Sequence, residues 1–217
     1  MKVAKKVAKK APTKKVAKKV SVKKVAKKTS MPTSGYEPTY DHEKWTNDYN
    51  VMATHNCYSY LLDDLHKYPM AGKPQPGLMS NEGYASKITC AEVRKRVIAD
   101  NPRCVITWAS SLEFKKCPKE YYKGFLCVNS NGEDYHFYRQ DNDGTWSHKP
   151  GSTEPTKVDA SGKKILNPKK SNRNYGFKGG VNYNIPCSFF CIKNTKAIRS
   201  TGNFNSPGRN ALRNPKM

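Results

Sequence analysis

DYHFYRQDNDGTWSHKPG, residues 134–151, is the stretch on which the fold turns. Two runs of aromatic and polar residues flank Asn142-Asp143-Gly144, strong turn chemistry, so the pattern predicts a β-hairpin. Each run carries one histidine, His136 and His148. Successive strand side chains point to opposite faces, so the register decides whether the two rings meet. With Gly144 in the left-handed position of a G1 bulge, Asp141 pairs with Thr145 and Tyr138 lies opposite His148. His136, Tyr138 and His148 then share one face. With Gln140 opposite Thr145 instead, His148 faces away. The Asn-Asp-Gly order favours the bulge and the shared face.

Outward from the hairpin, RCVITWA (103–109) and GFLCVNS (124–130) read as further short strands. IPCSFFCIK (185–193) reads as a last strand that closes the sheet. Residues 150–180 are rich in Gly, Pro, Ser, Lys and Asn and read as a long loop with room for one short strand. Upstream, residues 56–67 read as a helix capped by Asn56, with Tyr60, Leu61 and Leu65 at apolar spacing. KPQPGLMSNEGYAS (73–86) is a loop. Residues 88–102 hold a second helix, with Thr89 and Glu92 at capping-box spacing and Pro102 ending it. Residues 31–54 are turn-rich and aromatic and are expected to wrap the domain. Two helices followed by an antiparallel meander predict an α+β domain over residues 31–191.

The net charge of +23 is uneven. Residues 2–28 hold 13 lysines and no acid, and residues 192–217 hold six basic residues and no acid, which leaves the domain at +4. The chain therefore reads as a nearly balanced domain between a basic arm (1–30) and a basic tail (192–217). KKVAKK occurs at 5–10, 14–19 and 23–28, a nine-residue repeat interrupted by Pro12. Lysines this dense repel one another, and Val and Ala bury too little area to offset chain entropy, so the arm is expected to be disordered alone in water. Its candidate polyanion-binding residues are Lys5, Lys6, Lys9, Lys10, Lys14, Lys15, Lys18, Lys19, Lys23, Lys24, Lys27 and Lys28. Counterion release would make such binding tight at low salt and weak at high salt. Nothing in the repeat reads bases, since arginines and aromatics are absent. The expected partners are other proteins, nucleic acid or an anionic membrane surface. A solvated tail that aids solubility is the plain alternative.

No apolar run reaches the ~18 residues of a membrane span, and the N-terminus lacks the apolar region of a secretory signal. The seven cysteines (57, 90, 104, 117, 127, 187, 191) are odd in number and irregularly spaced. Reduced thiols in an intracellular setting are the simplest expectation, with Cys90, Cys104, Cys117 and Cys127 as packing residues. Cys187 and Cys191 form a lone CxxxC without a second pair, so no metal and no cofactor is expected.

Asn56-Cys57-Tyr58 places a cysteine at a helix start. A cysteine there, followed by a sheet with a histidine opening one strand and a polar residue on the next, resembles the papain-like cysteine peptidases. It is most similar to their compact NlpC-like and CHAP branches. NCYSYLLDD and the hairpin block also look like blocks of uncharacterised bacterial proteins, and the resemblance covers about residues 50–191. It implies a papain-like core. It also implies a catalytic set of Cys57 as nucleophile, His136 as base and His148 as orienting group. Asn56 or Tyr58 would assist an oxyanion, and His55 is a rival base. A helix N-terminus and a neighbouring imidazole would together lower the thiol pKa. That chemistry requires the Cys57 sulfur within hydrogen-bond reach of His136 in an open cleft.

The lysine arm resembles the tails of virion proteins of large algal DNA viruses, the chloroviruses. The leading expectation is thus a minor capsid or virion protein of a large DNA virus, held by its arms to other virion proteins. Two alternatives stay open: an active Cys–His peptidase or amidase carried in a virion, and a histone-like nucleic-acid-condensing protein.

Overall fold

A computed structural model describes residues 1, 30–65 and 73–195. The KKVAKK lysines and the tail beyond residue 195 lie outside the described residues, and the helix expected over 56–67 ends early, at Leu61. The fold is mixed α+β around a five-stranded antiparallel sheet. Its helices are α1 (Glu43–Thr46), α2 (Tyr49–Thr54), α3 (Cys57–Leu61) and α4 (Cys90–Asp100). Its strands are β1 (Val105–Ile106), β2 (Tyr121–Val128), β3 (Tyr135–Gln140), β4 (Trp146–Ser147) and β5 (Ile185–Lys193).

Side-chain caps start α2, α3 and α4. The Asn56 side chain accepts from the amides of Tyr58 and Ser59, and Thr89 accepts from the amide of Glu92. The other half of a capping box is missing, because Glu92 turns to pair with Arg96 at 2.6 Å. α1 and α2 interrupt the wrap expected over 31–54. Asp48 caps α2 by accepting from the amide of Asn50.

The β3–β4 turn is a bulged three-residue loop. Gly144 sits at φ 77°, its amide donates to Asp141 O at 2.9 Å, and the Asp141 amide donates to Thr145 O at 2.8 Å. Gln140 therefore faces Trp146 and Arg139 faces Ser147.

The strands run in the order β1-β5-β2-β3-β4. β5 thus lies inside the sheet between β1 and β2, where the sequence reading put it last in a meander. Its Phe189, Phe190, Cys191 and Ile192 are all buried, and burying such a run on both faces requires a central place. One face of the sheet packs Leu126, Phe137, Phe190 and Ile192 against α3 and α4. The other packs Phe125, Cys127, Tyr138 and Phe189 against Met31, Leu112, Trp146 and Ile165.

Two disulfides correct the expectation of seven reduced cysteines. Cys90 bonds Cys187, and Cys117 bonds Cys191. Cys90 and Cys117 are covalent ties to β5 rather than packing residues, and the CxxxC pair is split between two different bridges. Cys57, Cys104 and Cys127 are free and buried.

Candidate functional site

Cys57 opens α3 as its first helical residue, but the whole helix is buried. Its thiol lies in the core under the helices and bonds the backbone of Phe137. Burial pushes its pKa up to about 12, which that bond and the nearby Lys149 cation only partly oppose. At neutral pH it is a thiol, without the thiolate that nucleophilic attack needs. Neither Asn56 nor Tyr58 is free to hold an oxyanion. The Asn56 amide donates to Pro74 O at 2.7 Å, and the Tyr58 hydroxyl donates to Asp100 at 3.0 Å. His55 is buried, with Nδ1 3.1 Å from Val51 O and its ring edge-on to Trp45.

The structure brings His136 and His148 together. His136 Nε2 lies 2.8 Å from His148 Nδ1. His148 Nε2 lies 3.1 Å from the carbonyl of Val158, which can only accept, so that nitrogen carries the proton. His148 Nδ1 then accepts from His136 Nε2–H. Tyr183 stacks on His136 at 5.1 Å, Tyr138 meets it edge-on, and the Tyr175 hydroxyl is 3.3 Å from His148 Nε2. Burial holds His136 well below its usual pKa, with His148 adding to the shift, and brings His148 down to about 4. Both rings are neutral and closed off from solvent.

Cys57 does not join them. It packs with Phe137, whereas His136 and Tyr138 are the flanking residues on β3 and point to the opposite face of the sheet. Among the described residues, no hydrogen bond links Cys57 to either histidine.

The residues that sequence reading missed are buried cations. Lys149 donates to the carbonyls of Met52 (2.6 Å), His55 (2.5 Å) and Gly151 (2.8 Å), fastening the α2–α3 junction to the turn after β4. Lys123 donates to Pro32 O and so holds the N-terminal strap on β2. Arg139 lies 4.2 Å over the Tyr60 ring, pairs with Asp63 at 3.1 Å and stands 3.5 Å from Asp141. Lys149 with its three carbonyl acceptors and Lys123 with one bind chain to chain rather than substrate to protein. Their signal in the sequence was faint: charged residues at inward positions of the hairpin, Arg139 and Lys149, amid otherwise apolar patterning.

Among the described residues, no group of three or more His, Cys, Asp or Glu side chains could hold a metal ion. No described helix is long and apolar enough to cross a membrane.

No family model and no solved structure matches the chain. Over 132 residues it is 57% identical to "Insoluble matrix shell protein 1" of Ruditapes philippinarum, a match that covers 60% of this chain and 78% of the relative. That similarity overturns the expectation of a viral capsid protein, and with it the peptidase and condensing roles attached to that expectation. It also overturns a virion or reducing intracellular location: the low-complexity arm that suggested a virion carries far less information than 132 aligned residues.

Proposed function

This chain belongs to the family of the insoluble matrix shell protein 1 of the mollusc Ruditapes philippinarum, and from that premise we propose that it is a structural component of an insoluble shell matrix. The 57% identity over 132 residues carries the reading. The bonding inside the fold supports it. The two disulfides suit an oxidising, extracellular setting. The interior spends its histidines, lysines and arginine on holding chain to chain, and its cysteine thiol is not activated. The function is to persist as a cross-braced block whose basic arms attach it to anionic neighbours in the matrix.

The test is fractionation. In shell stripped of mineral with acid and washed with detergent, an antibody against residues 31–191 should find the protein in the undissolved residue. Recovery only from soluble cell extracts would overturn the reading.

A further inference from the structure

KKILNPKK, residues 163–170, carries four lysines on a loop anchored inward by two of its apolar residues. Ile165 is fully buried, and Pro168 is buried beside it. The Ile165 amide donates to Lys157 O at 2.9 Å, and its carbonyl accepts from Trp146 at 3.0 Å. Asp159 pins the preceding turn by accepting from the amides of Ser161, Lys163 and Asn172. Arg173 clamps the far end, donating to Pro168 O at 2.6 Å and Lys169 O at 2.8 Å. The backbone is therefore fixed while Lys163, Lys164, Lys169 and Lys170 are exposed. A preorganised row of cations loses less entropy on binding than cations on a free chain.

This loop forms one wall of a groove of about 880 Å³. Phe114, 75% exposed, and Leu166 add apolar surface to it. The groove's acids are already engaged. Asp159 caps its turn, and Glu113 accepts from Asn167 at 2.8 Å and Lys169 at 3.1 Å, with Lys170 at 3.6 Å. Lys163 has no carboxylate within 4.0 Å among the described residues. Glu113 shows how this wall receives a carboxylate. Among the described residues no arginine lines the groove, so they offer no planar fork of the kind that grips phosphate in bidentate fashion. The lysine repeat, which joins the fold at Ser30 on the groove's rim, has the wrong charge to fill it.

We propose that the groove binds an acidic polypeptide, with Asp or Glu side chains along Lys163, Lys164 and Lys170 and an apolar side chain against Phe114. The apolar contact favours a polypeptide over a sulfated polysaccharide or a nucleic acid.

The test is fluorescence anisotropy of labelled poly-L-aspartate with the full chain at fixed salt. One variant carries Lys163→Gln, Lys164→Gln and Lys170→Gln. A second carries Gln at the twelve repeat lysines 5–28. The groove variant should bind roughly tenfold more weakly at an unchanged Tm, since losing each of three exposed pairs weakens binding about two- to threefold. The repeat variant should keep groove-dependent binding. If the triple variant unfolds, Lys163→Gln alone is read, with a two- to threefold loss expected on the same basis. Unchanged affinity in the groove variants overturns the site. Tighter binding of heparin or duplex DNA than of poly-L-aspartate by the repeat variant overturns the partner. The test uses no shell material, so its failure leaves the matrix reading standing.

Discussion

His136 and His148 hydrogen-bond to each other at 2.8 Å inside the protein, and burial keeps both rings neutral at neutral pH. The pair is an acid-sensitive joint. The pKa of His148 falls from 6.5 when exposed to about 4 when folded, so below pH 6.5 the unfolded chain takes up a proton that the folded one refuses. Stability is lost as pH falls from about 6.5 towards 4, by about 3 kcal/mol for this ring alone. His148→Phe should abolish that share of the acid loss. Denaturant titrations at pH 7, 5 and 4 check it, and a wild-type-like difference between pH 7 and 4 in the variant would refute it.

Asp141 works in the opposite direction. Burial raises its carboxyl to about 6, against the pull of Arg139. Its folded pKa lies above the unfolded 3.8, so the folded state takes up the proton first, and this group adds stability as pH falls from about 6 to 4. Asp141→Asn removes that gain. The variant should lose stability more steeply than wild type over this window in the same titrations, and a shallower loss would count against the assignment.

Cys57, Cys104 and Cys127 are buried thiols, and Cys57 and Cys127 are pushed up in pKa by burial. Iodoacetamide at pH 7.5 should leave all three unmodified in the native protein and alkylate them after denaturation, as read by peptide mass spectrometry. Fast, selective alkylation of native Cys57 would reveal an activated sulfur that this packing forbids.

Gly124 lies where α3 meets β2 and β5. A Cβ there would come within 2.8 Å of the Leu61, Ile192 and Phe190 side chains. Gly124→Val should destabilise the domain by about 2–3 kcal/mol through overpacking, seen as a lower thermal midpoint. A neutral effect would mean that α3 can move off the sheet.

The Cys117–Cys191 bridge closes a loop of 74 residues. Replacing both cysteines with Ala should cost about 4 kcal/mol, measured as a fall in denaturant midpoint with the α+β circular dichroism retained. A midpoint unchanged from wild type would show that the bridge adds nothing.

The hairpin was legible in the sequence because its instructions are local. Asn142-Asp143-Gly144 sets the bulge, and the bulge alone aligns His136 with His148. The caps at Asn56 and Thr89 were legible for the same reason. The place of β5 was not, because nothing near Ile185–Lys193 says that it lies between β1 and β2. Cysteine spacing likewise does not specify pairing. The buried Lys149, Lys123 and Arg139 were missed because charges default to solvent, and only the folded chain supplies the carbonyls, ring and carboxylates that hold them. The sequence held a cysteine at a helix start and a histidine on a strand. Whether they face each other depends on which side of β3 the helix covers, and only tertiary packing decides that.

β5 is the last described strand, yet it pairs with both β1 and β2 and receives both disulfides. A chain emerging from the ribosome can form the β2–β3–β4 ribbon early but must wait for residue 193 before its sheet is whole. Until then the outer edge of β2 stays open, the pairing that follows is long-range and slow, and Cys90 and Cys117 lack their native partners Cys187 and Cys191. The protein is thus committed to its final form in one late step. A product cut short before Ile185 would be a sticky, reduced fragment rather than a smaller version of the same block.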